Sequence, residues 1–147
     1  MKNIFLFAGL LACTFFFSEC AKKKTDDASC LANDPNPNKS SELAILMRQM
    51  ATHAESLKKE VLAGHVTGSF PEGFRKIHTA VPSDSLIRGD AFDMYATGYL
   101  NNLSMLYSSP PDLREQYNAV INTCVACHNQ SCPGPLVRIK KLKKGNE

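Results

Sequence analysis

The residues best suited to chemistry in this chain are two cysteines and a histidine in one run, Cys124-Val125-Ala126-Cys127-His128. A C-x-x-C-H run is the signature at which c-type haem is attached. Each thiol can add to one vinyl group of the same porphyrin, and the adjacent histidine can then bind the iron. On a helix, Cys124, Cys127 and His128 share one face, because they lie at i, i+3 and i+4. The run predicts a covalently attached haem c, with His128 as the proximal iron ligand.

Two other kinds of site use paired cysteines at this spacing. A zinc site would need a second Cys/His pair at ligand spacing, and only Cys132 follows the run. A thioredoxin-like redox pair would need a βαβ context, and the chain has no alternation of apolar and polar residues long enough to build a sheet. Haem attachment is therefore the primary interpretation.

The start of the chain has the pattern of an export signal. Lys2 supplies the positive charge, and the apolar run over 4–17 is too short to span a membrane. The segment ending Ser18-Glu19-Cys20 is similar to the lipobox of bacterial lipoproteins, with Glu19 in place of the usual small residue. We expect a signal peptide over 1–19 and a lipid anchor on Cys20. The mature protein would then be in the periplasm or cell envelope. Simple cleavage to a soluble product is the alternative.

The remaining cysteines fit an exported protein. Of the six cysteines, one is discarded with the leader, Cys20 is assigned to the lipid, and Cys124 and Cys127 are assigned to haem. Cys30 and Cys132 are left as an even pair, in a compartment where disulfides persist. We predict a disulfide between them, and two free thiols are the alternative.

Length and composition indicate one small domain with an ordinary core, since 44% of the residues are hydrophobic. The formal charge of +3 is mild and does not call for nucleic acid as a partner. Residues 20–39 are polar and predict a tether, and residues 40–147 should form the haem-binding domain with a basic C-terminal tail. The tail is either a solvated helix face or a docking patch for an acidic partner or anionic lipid.

The apolar spacing after residue 40 predicts helices only. The first begins at Ser40 or Ser41 and ends near Ala63, before Gly64. Three further helices follow, over about 72–79, about 90–108, and from the 109–112 break to Pro133, the last with a proline in its first turn. The basic segment over 136–144 could add another helix. The pattern predicts an all-α, antiparallel four-helix bundle.

With its C-x-x-C-H run near the end of the last helix, the chain resembles cytochrome c-prime and its low-spin, methionine-ligated relatives. The run over 117–128 is similar to the last helix of that family. The segment Leu46-Met47-Arg48, followed by Leu57, is similar to a Leu-Met-Lys segment of the low-spin branch. The resemblance implies a four-helix bundle around one haem, and it implies Met47 as the distal iron ligand. After His128 the chain lacks the family's aromatic-basic pair, and its tail is longer.

Other side chains compete for the distal position. Met50 lies one turn after Met47 on the same apolar seam, and without the haem motif both would be core residues. His53, His65 and His78 are alternative ligands, and bis-histidine ligation would lower the reduction potential relative to methionine-histidine ligation.

The expected function is single-electron transfer outside the cytoplasm, with redox proteins of the cell envelope as partners. A methionine-histidine ligand set closes both axial positions, which favours outer-sphere transfer. The resemblance also allows a homodimer. The alternative function is a haem-based binder or sensor of nitric oxide or carbon monoxide, which needs an open distal site. We do not expect an enzyme, because the sequence shows no nucleophile-base-acid constellation and no clear distal acid-base pair for a peroxidase.

Overall fold

The computed structural model describes residues 39–143, and their regular elements are all helical. The α-helices are α1 (Glu42–Leu62), α2 (Asp90–Tyr107), α3 (Leu113–Ser131) and α4 (Leu136–Leu142), and short 3-10 helices cover Glu72–His78 and Ser85–Ile87. Within this part of the chain there is no strand, so the predicted all-helical class is confirmed. The predicted signal peptide, Cys20, Cys30 and the tether up to residue 38 lie outside the described residues.

Helix α1 begins after a serine cap and ends before a glycine, as predicted. The Ser41 hydroxyl accepts a hydrogen bond from the backbone N–H of Ala44 at 3.2 Å, which identifies Ser41 rather than Ser40 as the cap. After the helix, Gly64 adopts a φ of +84°, the left-handed region that glycine enters without a Cβ penalty.

The start of α3 differs from the prediction. Asp112 is the N-cap, and its Oδ1 accepts hydrogen bonds from the backbone N–H groups of Arg114 and Glu115, both at 2.9 Å. The helix therefore begins at Leu113, and the predicted proline in the first turn is wrong. The aspartate side chain satisfies two N–H groups that have no partner inside the helix, so the capped turn starts after both prolines.

The second predicted helix is a 3-10 helix rather than a full α-helix of a bundle. It covers Glu72–His78 and buries Phe74 and Ile77. These two residues are three apart, and side chains at that spacing eclipse on one face of a 3-10 helix. A short 3-10 helix of two turns is therefore enough to bury both side chains.

The other three α-helices pack around α3, which contacts α1, α2 and α4. Helices α2 and α3 are antiparallel. The Gln116 side chain, early in α3, donates to the Asn102 carbonyl at 2.8 Å, and Thr123, later in α3, faces Gly98, which comes before Asn102 in α2. The Asn102 side-chain amide also donates to the Thr123 hydroxyl at 2.9 Å. These polar contacts hold one register between the two helices.

The apolar face of the basic tail packs into the folded core, which the sequence pattern left open, and its basic side chains are exposed. Ile139 and Leu142 of α4 are buried. On the α1 side, Lys58 Nζ donates to the Lys141 carbonyl at 2.8 Å, and Arg138 pairs with Glu55 at 2.9 Å. The earlier residue of α1 contacts the earlier residue of α4, and the later residue contacts the later one. Helix α4 therefore lies parallel to α1 and covers one side of the bundle.

The fully buried Tyr117 links three helices through one hydroxyl. Its oxygen lies 3.1 Å from the Ala54 carbonyl of α1 and 3.1 Å from the Leu142 carbonyl at the end of α4. The hydroxyl carries one proton, which these two acceptors share. Burial raises the pKa of Tyr117, with the nearby Cys124 and Glu55 adding to the effect, so the hydroxyl stays protonated.

Replacing Tyr117 by phenylalanine should lower the free energy of unfolding by about 1–2 kcal/mol. The ring is kept, but a buried hydrogen bond between α3 and its two neighbours is lost. Urea denaturation measures the change, with Tyr95→Phe on the partly exposed side of α2 as the matched control. Equal effects of the two substitutions would mean that the Tyr117 hydroxyl contributes nothing specific.

Candidate functional site

A cavity of about 460 Å³ lies between α1, α3 and α4. Its volume falls in the range of cofactor and small-molecule pockets, about 300–1,000 Å³. Most of the lining is apolar, and α2 and the segment around the second 3-10 helix contribute to the wall. The cavity brings together the five residues that the sequence proposes for the haem, and they are Met47, Met50, Cys124, Cys127 and His128.

Helix α3 carries the cysteines and the histidine to the cavity along its buried seam. Tyr117, Val120 and Ile121 are almost fully buried in the first half of the helix. One and two turns later the same face reaches the cavity, where Cys124 and His128 are partly exposed. The predicted placement of both thiols and the imidazole on one side of a helix is therefore realised in the structure.

The end of α3 orients the imidazole of His128. Its Nδ1 lies 2.8 Å from the Cys132 carbonyl oxygen. A carbonyl can only accept, so Nδ1 carries the proton and donates it. When the ring is neutral, this bond leaves the lone pair on Nε2, which is the nitrogen that a metal would use. The backbone N–H of Cys132 in turn donates to the His128 carbonyl at 3.3 Å, which closes the turn.

The pKa values of the two thiols are raised, whereas the reactive thiol of a redox-active pair has a lowered pKa. Burial, together with the neighbouring Cys127, raises the pKa of Cys124 to about 12. Burial and the nearby Cys132 also raise the pKa of Cys127. The reactive cysteine of a C-x-x-C oxidoreductase has a lowered pKa, because only the thiolate attacks a disulfide. The surroundings of Cys124 and Cys127 therefore do not favour thiol–disulfide chemistry.

Helix α1 presents both candidate methionines to the cavity. Met50 is 6% exposed, and Met47 is partly buried against the core. Both also line a smaller adjoining cavity of about 40 Å³, which is shared with Cys124, Cys127 and His128. The thioethers thus lie on α1 near the imidazole on α3. The remaining described methionines, Met94 and Met105, are 63% and 55% exposed.

The other histidines do not line either of these cavities. His53 lies half-buried elsewhere, where its Nε2 is 2.9 Å from the Tyr107 hydroxyl, and burial lowers its pKa. His65 and His78 are exposed. Only His128, among the histidines of the chain, reaches the predicted site.

The α3–α4 turn also contains the third described cysteine. Cys132 is exposed with a free thiol, and it lines the large cavity next to His128. Its predicted disulfide partner, Cys30, lies outside the described residues, so the pairing stays a prediction.

Within residues 39–143, no group of three or more histidine, cysteine, aspartate or glutamate side chains could hold a metal ion by itself. Haem iron makes a different demand, because the porphyrin supplies the equatorial nitrogens and the protein supplies only axial ligands. The cavity, its two thiols, the oriented imidazole and the nearby thioethers fit this demand.

The described helices include none long and apolar enough to cross a bilayer.

Two elements that line the cavity were missed as site elements in the sequence. The first is α4, which adds Pro135, Arg138 and Ile139 to the wall. The spacing of Ile139 and Leu142 was a signal for a packed helix, because residues three apart share a face.

The second missed element is the loop before α2. Arg88 holds it by donating hydrogen bonds to the carbonyls of Ile77, His78 and Ala80, and its guanidinium lies 4.5 Å from the ring centroid of Phe92, which lines the cavity. No spacing rule marks such a loop contact in advance, because it joins residues through tertiary packing.

Comparisons of the chain with protein-family models, with curated proteins and with solved structures found no match.

Proposed function

We propose that this protein is a c-type cytochrome that transfers single electrons outside the cytoplasm through a covalently attached haem. The observation that carries the proposal is the cavity wall itself. It joins two thiols at i and i+3, an imidazole whose Nε2 is kept available, and thioethers from a second helix. The apolar lining suits a large macrocycle.

When bound, the haem supplies an iron that alternates between the ferric and ferrous states. Cys124 and Cys127 would each add their S–H across a vinyl double bond, so the sulfur forms a C–S bond and the proton goes to the neighbouring carbon. His128 would hold the iron through Nε2, while the Cys132 carbonyl keeps the ring in orientation. Met47 would supply the distal sulfur, with Met50 as the alternative.

A sulfur ligand suits an electron carrier. It raises the reduction potential and fills the position that a substrate or gas would otherwise occupy. The proposal includes attachment to the envelope through a lipid on Cys20, and redox proteins of the envelope as partners. It does not include an enzymatic step.

One observation favours a second candidate, a haem-based binder of nitric oxide or carbon monoxide. The adjoining cavity of about 40 Å³ lies against His128, Met47 and Met50. A site of roughly 10–15 Å³ already holds a water molecule, so this space could admit a diatomic gas. The two functions differ in whether a methionine occupies the distal position.

Absorption and electron paramagnetic resonance spectra of the resting, haem-loaded protein separate the two. We expect six-coordinate low-spin iron with a methionine-to-iron charge-transfer band, the signature of a closed site. Five-coordinate high-spin iron would instead support the gas binder. A full-length protein matured in a host with haem-attachment machinery that carries no covalent haem would exclude both.

A further inference from the structure

We infer that α4 is a strap over the large cavity, which opens and closes while α1, α2 and α3 stay folded. The inference goes beyond the proposed function, because it concerns how any ligand in the cavity is enclosed. It rests on three features of α4. These are the part of the cavity wall that it forms, its short length after a proline-rich turn, and the side chains of other helices that hold its last carbonyls.

Helix α4 forms one side of the cavity wall with its inner face. Pro135, Arg138, Ile139 and Leu142 line the cavity, and Ile139 and Leu142 are buried. The outer face of the same helix is exposed to solvent. A single helix therefore separates this side of the cavity from solvent, and moving it away would open the cavity along its length.

Helix α4 is too short to be stable without its tertiary contacts. It has seven residues, Leu136–Leu142, and isolated helices shorter than about 12–15 residues are marginal in water. Its N-cap is Pro135, whose side chain has no polar atom to cap the first turn. The run Pro133-Gly134-Pro135 separates α4 from α3, and a proline lacks the N–H that would continue the helical hydrogen bonds. Opening of α4 therefore does not require α3 to unwind.

Side chains from α1 and α3 hold the last turn of α4 by its carbonyl oxygens. Lys58 Nζ on α1 donates to the carbonyls of Lys141 and Lys143, at 2.8 and 3.2 Å. The Tyr117 hydroxyl on α3 shares its proton between the Leu142 carbonyl and a carbonyl of α1. The last carbonyls of a helix have no partner inside it, and a positive charge beside them interacts favourably with the helix dipole. Lys58 therefore fixes the end of α4 to α1.

The contacts of α4 can break without unfolding the other helices. The Lys58 hydrogen bonds and the Arg138–Glu55 ion pair lie at the surface, where water competes for the same groups and salt screens the charges. Among the described residues, α4 buries two side chains, whereas α1 and α2 bury six each. A segment with few buried apolar contacts opens at a lower free energy than the core. A haem bonded to Cys124 and Cys127 of α3, as proposed, would stay attached when α4 opens.

The test is hydrogen–deuterium exchange of the full-length protein, measured by mass spectrometry. In the wild type, the backbone amides of residues 139–143 should exchange faster than those in the middle of α1 and α3, because local opening costs less free energy than global unfolding. Low concentrations of urea should leave the α4 rates nearly unchanged, since a local opening exposes little surface. Lys58→Met should speed exchange in α4 about three- to tenfold, the effect of losing a hydrogen bond of ordinary net strength.

Two control variants identify the opening. Lys59→Met makes the same change on the exposed neighbour of Lys58, which has no hydrogen bond to α4 among the described residues, and it should leave the α4 rates unchanged. Asn102→Ala removes the hydrogen bond to Thr123 between α2 and α3, which the open state of α4 would keep. It should therefore speed exchange in α2 and α3 but not in α4.

Three results would overturn the strap. They are an α4 whose exchange follows urea as steeply as the core, an α4 that responds to Asn102→Ala as strongly as α2 and α3, and an α4 that responds equally to Lys58→Met and Lys59→Met or to neither. None of these depends on haem. A wild-type protein without covalent haem would remove the proposed function and leave the exchange of α4 measurable. A haem-loaded protein whose α4 exchanges only with the core would keep the proposed function and remove the strap.

Discussion

Replacing Cys124 and Cys127 together by alanine should abolish covalent haem attachment, and either substitution alone should reduce it. Each thiol is proposed to form one thioether, so the single variants keep one bond and the double variant keeps none. Both thiols line the same cavity, which places them against one ligand. The measurement is haem-dependent peroxidase staining of the denatured protein under reducing conditions, normalised to the amount of protein.

The matched control is Cys132→Ala. Cys132 is an exposed thiol at the end of the same helix and lines the same cavity, but it lies outside the C-x-x-C-H run. We expect this variant to keep its haem, because the Cys132 carbonyl that binds His128 belongs to the backbone and survives the substitution. A double variant that still holds haem after denaturation would remove the central assignment.

Replacing Met47 by alanine should convert most of the iron from low-spin to high-spin and open it to carbon monoxide. The substitution removes the proposed distal sulfur, and no histidine except His128 lines the cavity to replace it, while Met50 lies one turn further along α1. The change is read from the absorption spectrum, the loss of the charge-transfer band and the spectral response to carbon monoxide.

Two further variants separate ligation from packing. Met47→Leu nearly conserves the side-chain volume and removes only the sulfur, so it should give the same high-spin spectrum with little loss of stability. Met50→Ala should keep the low-spin spectrum but lower the free energy of unfolding, because Met50 is 6% exposed in the core. Conversion in Met50→Ala and not in Met47→Ala would assign the ligand to Met50, and conversion in neither would contradict methionine ligation.

The helices were largely predictable because their signals are local. The apolar stripe of α1, its N-cap Ser41 and the Gly64 that follows its C-cap act within one or two turns of chain. Glu72–His78 departs from the predicted α-helix because it is only two turns long, and whether it winds as an α-helix or a 3-10 helix depends on what Phe74 and Ile77 pack against. For α4 the sequence left the outcome open. Ile139 and Leu142 pack into the core, while the basic side chains of the helix stay exposed.

The sequence by itself determined the attachment chemistry that we propose, because C-x-x-C-H places two thiols and an imidazole within one turn of a helix whatever surrounds it. It also placed Met47 and Met50 on one seam. Only the tertiary structure decided that this seam faces His128 and that His53 does not. It alone brought Arg138 of α4 to the cavity. These contacts depend on how α1, α3 and α4 pack, and the spacing of residues along one helix carries no information about which neighbouring helix it meets.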